Sequence, residues 1–391
     1  MNWPEPPIRP EGPLAGLRVL DLSRILAGPF AATILSDLGA DVIKVERAEV
    51  GDEPRRWGPP YAPTGTAAYF YVCNRNRRSL SLDLKQEADQ RIVQRLAADA
   101  DVVFENFLPG VAERMGVDAV TLRASNPRLV YCTISGYGRD SQRSSWPALD
   151  FVIQAHAGMM SVTGPTPDEE CKVGVPIADL TTGLYGTIGV LAAVQKARAT
   201  GEGSDVEVTL ADSCVALLAN QAMNWLIGGI DPRPGGNTHP NVAPYQTIRA
   251  GDRDLAIAAT SEEQFRRLCS VIERPDLVED PRFRTNPERV AHRQELEELL
   301  SERLSQGDAA DWVARLNEAG VPAGLVNTVA QVLQERDTAA RLVTSAPAGP
   351  HEIPQVRTPI RIDGAPLPVR TAPPGLGEDD ESIRAALEVP T

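Results

Sequence analysis

Strand-like and helix-like segments alternate along the first 200 residues, and this alternation constrains the fold more than any other feature. Leu17 to Leu22 is a short apolar run ending at Ser23. Pro29 to Leu38 has helical spacing and stops at Gly39, a common helix terminator. Asp41 to Glu46 reads as the next strand, Glu87 to Ala98 as an amphipathic helix with Ile92, Val93 and Leu96 on one side, and Val102 to Glu105 and Leu129 to Ile134 as buried strands. Strands separated by helices imply right-handed βαβ units and a mostly parallel, open, Rossmann-like α/β sheet. Ligands of such sheets bind beyond the carboxyl ends of the strands. The segments to inspect are therefore Ser23–Pro29, Arg47–Arg56, Asn106–Gly110 and Gly136–Arg139.

Further on, Leu180 to Ala197 reads as a long helix, Ser204 to Leu210 as a half-exposed strand, and Ala211 to about Ile227 as one more helix. A breaker-rich stretch ending at Pro244 reads as a linker and mobile loop. Asp254–Ala259, Glu262–Ile272, Arg293–Leu304 and Asp308–Glu318 predict a small α/β domain, and Ala346 to Gly377 an extended proline-rich tail that packs along another surface. A chain of 391 residues is too long for one ordinary core, so two domains are expected.

A net charge of −14 disfavours generic binding to nucleic acid or anionic membranes. Five scattered cysteines form no C-x-x-C pair, which argues against a zinc site or disulfide framework and fits a reducing cytoplasm. Met1 to Gly12 has no apolar core of a secretory signal, and no apolar run is expected to reach the roughly 18 residues of a membrane helix. Dinucleotide, P-loop, zinc-protease and nucleophile-elbow motifs are missing, and no metal site is expected from His156, His239, His292 and His351.

Two clusters could carry chemistry. In Val173–Val194 an apolar approach ends at Asp179 and a helix begins, so Asp179 is expected at the N-cap, where the helix dipole keeps its carboxylate ionised. Gly183, Gly186 and Gly189 recur every third residue there, implying that backbone or ligand comes close. The plain alternative is a capping aspartate on a tightly packed helix. The second cluster is basic: Arg75, Arg77 and Arg78, with Arg47, Arg55, Arg56, Lys85 and Arg114 nearby. Such a run reads either as a solvated face or, at Arg47 and Arg114, as contacts for a phosphate-rich ligand.

Several ordered blocks resemble family III CoA-transferases, the CaiB/BaiF group that includes carnitine and formyl-CoA transferases. They are Asp21–Arg47, Asn74–Lys85, Glu105–Gly116, Thr133–Gly138, the block around Asp179, and Gly236–Gln246. The resemblance implies that Asp179 is the nucleophile and forms a covalent aspartyl intermediate. It places coenzyme A along Arg24, Leu26, Ala27, Arg47, Leu82, Asp83, Leu84, Lys85, Asn106, Phe107, Leu108, Arg114 and Tyr137, with Gln154 near the thioester. Gly235, Gly236 and His239 would belong to a substrate loop that closes over the site, although His239 before Pro240 can equally be a loop-structuring residue. Pro147 stands where some relatives carry a CoA-contacting lysine. The implied partners are acyl-CoA and a small carboxylic acid, with coenzyme A a substrate and no cofactor permanently bound. The implied assembly is an interlocked homodimer whose chains carry a large Rossmann-like domain (10–200), a linker helix region (201–229), a small domain (230–325) and a return to the large domain with the tail (326–391).

The α-methylacyl-CoA racemases share these blocks but need a histidine where Leu149 stands, and leucine moves no proton. A non-catalytic CoA-binding protein is the remaining alternative. Arg24 before Leu26–Gly28, Trp57–Tyr61 and Asp179–Gly186 resemble the dicarboxylate branch that uses succinyl-CoA, with Arg24 facing the distal carboxylate.

Overall fold

The computed structural model describes residues 3–387. The first two residues of the proline-rich N-terminus and the last four of the 326–391 segment lie outside the described residues. The chain divides into two compact units: one comprises Met1–Met159, Val173–Gly228 and Glu335–Thr391, the other Met160–Lys172 and Gly229–Gln334.

The large unit runs β1 (Arg18–Asp21), α1 (Ala27–Asp37), β2 (Asp41–Arg47), β3 (Arg78–Leu82), α2 (Glu87–Asp99), β4 (Val102–Glu105), α3 (Val111–Arg114), α4 (Ala119–Ser125), β5 (Val130–Ser135), α5 (Asp150–His156), α6 (Ile177–Thr200), β6 (Asp205–Thr209), α7 (Leu210–Leu217) and α8 (Ala219–Gly228). Its six strands pair in the order β3-β2-β1-β4-β5-β6, and every pair is parallel. This is a doubly wound order, with the connection reversing direction between β1 and β4. Buried Leu20, Ile43, Leu80 and Val103 meet Ile92, Val93 and Leu96 of α2 in one core layer, as the helical stripe requires.

β3 was not foreseen, because its leading arginines disguise it. Arg75, Arg77 and Arg78 do not form a solvated face. Each is buried against an aspartate: Arg75 with Asp37 at 2.6 Å, Arg77 with Asp21 at 2.9 Å, Arg78 with Asp41 at 2.8 Å. The outward amides of this edge strand are also occupied. Ser79 N–H donates to Asp379 Oδ2 at 2.9 Å and Ser81 N–H to Asp380 Oδ1 at 2.7 Å, so the tail covers a sheet edge that would otherwise invite pairing. Within the tail, Val343–Ala348 and His351–Val356 form an antiparallel hairpin, so this part is not simply extended.

α6 is longer than its sequence pattern suggested. By length and composition it is the one helix among the described residues that could cross a membrane, which corrects the expectation that no run approaches that length. It is a core helix here, buried over more than half of that window and packed on α1. The recurring glycines serve this packing. A Cβ at Gly183 would stand 2.7 Å from the Ala27 carbonyl oxygen and 2.9 Å from the Phe30 ring, and one at Gly189 would stand 2.9 Å from Val206. The close neighbours are backbone and a ring at Gly183 and a side chain of β6 at Gly189, while Gly186 has only ordinary contacts. Gly183→Ala is expected to destabilise the chain by about 1–3 kcal/mol in thermal melts, because forced separation of the helices outweighs the helix propensity of alanine. The expected single helix after β6 is two, α7 and α8, broken where Ala219 takes φ 45°.

The small unit holds a three-stranded antiparallel sheet of Tyr245–Arg249, Asp254–Ala258 and Ala323–Leu325. The helices Glu262–Val271, Arg293–Leu304 and Ala309–Glu318 share a core with it through Ile257, Phe265, Leu300 and Trp312.

Candidate active site

Two cavities open at the carboxyl ends of the parallel strands. One, of about 370 Å³, is lined by Arg24, Ile25 and Ala27 after β1, Glu105–Pro109 after β4, Gly136, Gly138 and Arg139 after β5, and by Asp179 of α6. The other, of about 470 Å³, is lined by Arg47–Val50 after β2, Leu82–Lys85 after β3, and Val111 and Met115. Arg24 and Phe107 line both, with the Arg24 guanidinium 5.5 Å from the Phe107 ring centre. Volumes of this order suit an organic ligand.

α6 opens at Ile177 behind Pro176, which puts Asp179 inside the first turn and not at the cap. Asp150, at the start of α5, does the capping: its Oδ1 accepts the Ala178 N–H at 2.7 Å and the Asp179 N–H at 3.4 Å. Its Oδ2 accepts from Gln154 Nε2 at 2.7 Å, and Gln154 Oε1 accepts the Val173 N–H at 2.8 Å. Gln154 is thus a fully buried support for Asp150 and not a cavity residue.

The expectation that helix capping keeps Asp179 ionised is corrected with the geometry. Its carboxyl is pushed up from 3.8 to about 7, first by burial and then by the nearby Asp150 charge. Asp150→Asn keeps an oxygen for the Ala178 N–H but removes that charge. The midpoint of Asp179 titration, read by carboxyl NMR, is expected to move down by about one pH unit. An unmoved midpoint would leave burial as the whole cause.

The loop between β1 and α1 is held from several sides. Asn106 Oδ1 accepts the Arg24 N–H at 2.9 Å while its Nδ2 donates to the Arg24 carbonyl at 2.8 Å. Both ends of the Asn106 side chain are therefore committed to backbone. Ile25 adopts φ 72°. A β-branched residue there costs about 1–2 kcal/mol. Glu105, also on the cavity wall, accepts from Thr133 Oγ1 at 2.5 Å and Phe107 N–H at 2.7 Å, and burial pushes its carboxyl up.

The sequence-derived residues separate into three groups. Arg24, Ala27, Asn106, Phe107, Leu108 and Asp179 meet around the first cavity; Arg47, Leu82, Asp83, Leu84 and Lys85 meet around the second. Leu26 is fully buried, so its side chain faces the core. Tyr137 packs edge-on against His156 and Trp146, and exposed Arg114 lies beside Gly110; neither lines either of these two cavities. Gly235, Gly236 and His239 belong to the small unit. There Gly236 N–H donates to Gly164 O at 2.9 Å. His239 stacks on Tyr245 and its Nδ1 accepts the Asn241 N–H at 3.1 Å, a loop-structuring arrangement.

Asp150, Glu105 and Tyr69 were not singled out from sequence as site residues. Tyr69 is near Asp179, since burial and then that carboxylate push its hydroxyl up to about 12. It meets Trp57 edge-on at 5.3 Å. Leu149, where a racemase would hold its histidine, lines the first cavity.

Residues 14–380 match the profile of CoA-transferase family III. The chain is 38% identical over 383 residues to the succinate–glutarate CoA-transferase of Agrobacterium fabrum, covering 96% of both chains. It is 36% identical over 386 residues to the acetyl-CoA:oxalate CoA-transferase of Acetobacter aceti, covering 98% of both. The crystal structure of a CAIB/BAIF family protein from Brucella suis is 44% identical and superposes with a TM-score of 0.85, over 96% of this chain and 99% of that one. Matches of this length carry the catalytic class as well as the fold, and the chain is a CoA-transferase belonging to CoA-transferase family III.

Proposed function

We propose that this enzyme takes coenzyme A from an acyl-CoA, with succinyl-CoA the favoured donor, and passes it to a dicarboxylic acid through covalent intermediates on Asp179. The observation that carries this reading is the Asp179 carboxylate, buried yet lining a cavity at the mouth of a rigid helix. In the reaction, an Asp179 oxygen attacks the thioester carbonyl, giving a mixed anhydride and CoA thiolate. The thiolate attacks the Asp179 carbonyl carbon, releasing the donor acid and leaving an aspartyl–CoA thioester. The acceptor carboxylate displaces thiolate from that thioester, and the thiolate then attacks the acceptor carbonyl, freeing new acyl-CoA and the Asp179 carboxylate. Each step is an acyl transfer between nucleophiles, and none needs a general base once Asp179 is ionised. Poor solvation raises the reactivity of the carboxylate and keeps water from the anhydride.

The shared Arg24–Phe107 wall supports one extended ligand spanning both cavities, with its thioester end at Asp179 and its phosphates toward Arg47 and Lys85. Arg24, on that wall, is our choice for the distal carboxylate of the acceptor. The substrates named for the Agrobacterium and Acetobacter relatives, glutarate and oxalate, are both dicarboxylates. Coenzyme A enters this scheme as substrate, and the setting we propose is cytoplasmic.

We assign a homodimer as the working form. The run Trp225, Leu226 and Ile227 on α8 leaves 55%, 72% and 80% of these side chains exposed, an apolar surface that asks for a cover. Light scattering checks the mass.

The mechanism is tested by incubating the enzyme with succinyl-CoA, trapping with hydroxylamine or borohydride, and mapping the modified peptide. Modification at Asp179 is expected, together with exchange into a panel of dicarboxylates. Labelling elsewhere, or exchange that survives Asp179→Ala, would remove the mechanism. α-Proton exchange in heavy water without an acceptor would restore the racemase reading.

A further inference from the structure

Ile25 occupies a left-handed backbone region that glycine enters freely and a β-branched residue does not. A glycine at this position would hold the turn by itself. With isoleucine, the conformation depends on what grips it. The grip is Asp52, in the loop after β2, whose two carboxylate oxygens accept the Ile25 N–H at 3.1 and 3.2 Å. Asp52 is in turn gripped by Lys44, whose Nζ stands 3.0 Å from Oδ2 and donates to the Ser23 carbonyl at 2.9 Å. Both side chains are 1% exposed, so the pair is hidden below the cavity and not offered to a ligand. What it controls is exposed to the cavity: Arg24, Ile25 and Ala27 share the lining with Asp179. Ala27 opens α1, whose start has no side-chain cap and no acidic residue in its first turn.

We propose that Asp52, fixed by Lys44, is a positioning residue for CoA transfer: it holds Arg24–Ile25 in a strained turn that sets the cavity wall and the start of α1 relative to the bound acyl-CoA. Strain kept at a ligand-facing loop by surrounding contacts is a recurrent way of preorganising a site. When the grip is lost, Ile25 relaxes to negative φ and the wall shifts, although Asp179 on α6 and the Arg47 and Leu82–Lys85 side of the second cavity stay in place. The effect falls on turnover more than on acyl-CoA affinity. This inference rests on the Asp179 reading.

The test removes the buried pair as a unit, since deleting one partner leaves an unpaired charge. Lys44→Met/Asp52→Leu is expected to lower kcat by about tenfold or more, with KM for succinyl-CoA changed less than about threefold. Adding Ile25→Gly, which adopts the turn without help, is expected to restore at least half of the lost kcat. A structural role alone predicts no such rescue. Asp52→Asn serves if the double variant does not fold; its smaller loss should likewise be reversed by Ile25→Gly. An unaltered kcat, or a loss that Ile25→Gly leaves untouched, overturns the proposal. Either result leaves the nucleophile intact, because Asp179 is judged by trapping at that residue and by exchange in Asp179→Ala.

Discussion

Asp179→Asn is expected to abolish CoA exchange, by at least roughly 10⁴-fold in kcat, and at pH 8 to raise the melting temperature by several degrees. The two effects have one origin. In the folded chain the Asp179 carboxyl is pushed from 3.8 to about 7, first by burial and then by Asp150. Between those values the native state holds a proton that the unfolded chain has released. Stability therefore falls as pH rises through this window, and the full cost is present above about pH 7. A displacement of this size corresponds to about 4 kcal/mol. Asparagine carries no charge at any pH, so the variant gains where the carboxylate costs most. The gain should shrink as pH falls and be gone near pH 3, below the unfolded-chain value, where Asp179 is mostly protonated in both states. Paired melts at pH 8 and about pH 3, with exchange assayed at pH 8, check this. A variant that is inactive and equally stable at both values would mean that the carboxylate is not held in a poorly solvated place.

Arg77→Ala is expected to cost about 3–5 kcal/mol, among the largest losses for any single charged residue of the large unit, with a fall in melting temperature on the order of 10 °C. Arg77 and Asp21 are both fully buried. Arg77 Nη1 donates to Asp21 Oδ2 at 2.9 Å, while Nη2 donates to Pro29 O at 2.7 Å and Thr33 Oγ1 at 2.5 Å. One guanidinium thus joins the end of β1 to the first turns of α1. Truncation strands the Asp21 charge, leaving it only the N–H and hydroxyl of Ser23. Lysine does not substitute, because a single ammonium cannot reproduce the planar fork that serves four acceptors, Asn74 Oδ1 at 3.3 Å being the fourth. Arg91→Ala is the control. Its ion pair with Glu87 is 3.5 Å long and solvent-exposed, so a change within about 0.5 kcal/mol is expected. Comparable losses at both sites would contradict the account of the buried pair.

The parallel sheet was legible because its strands and helices announce themselves locally. β4 is a short apolar run, β2 carries β-branched Val42, Ile43 and Val45, and α2 shows its buried stripe in Ile92, Val93 and Leu96. The loops expected to face ligand do line the cavities, since that follows from strand direction alone. What escaped detection depends on partners distant in sequence. Arg75, Arg77 and Arg78 look like a solvated run until Asp37, Asp21 and Asp41 arrive from α1, β1 and β2. β3 was lost with them, because its arginines mask an ordinary buried strand. Asp179 looked like a cap because the true cap, Asp150, comes from another helix. No local signal reports such an acceptor, nor the left-handed Ile25 that Asp52 sustains.

The proposed nucleophile, Asp179, rides on a helix of 24 residues that seats Gly183 directly on the Ala27 carbonyl. Arg24, Asn106–Pro109, and Gly136, Gly138 and Arg139 bring loops to the same cavity wall. In the proposed mechanism, chemistry and selectivity are thereby carried in good part by different pieces of the chain, so that loop changes can alter the accepted acid while the bond-forming group stays where it is.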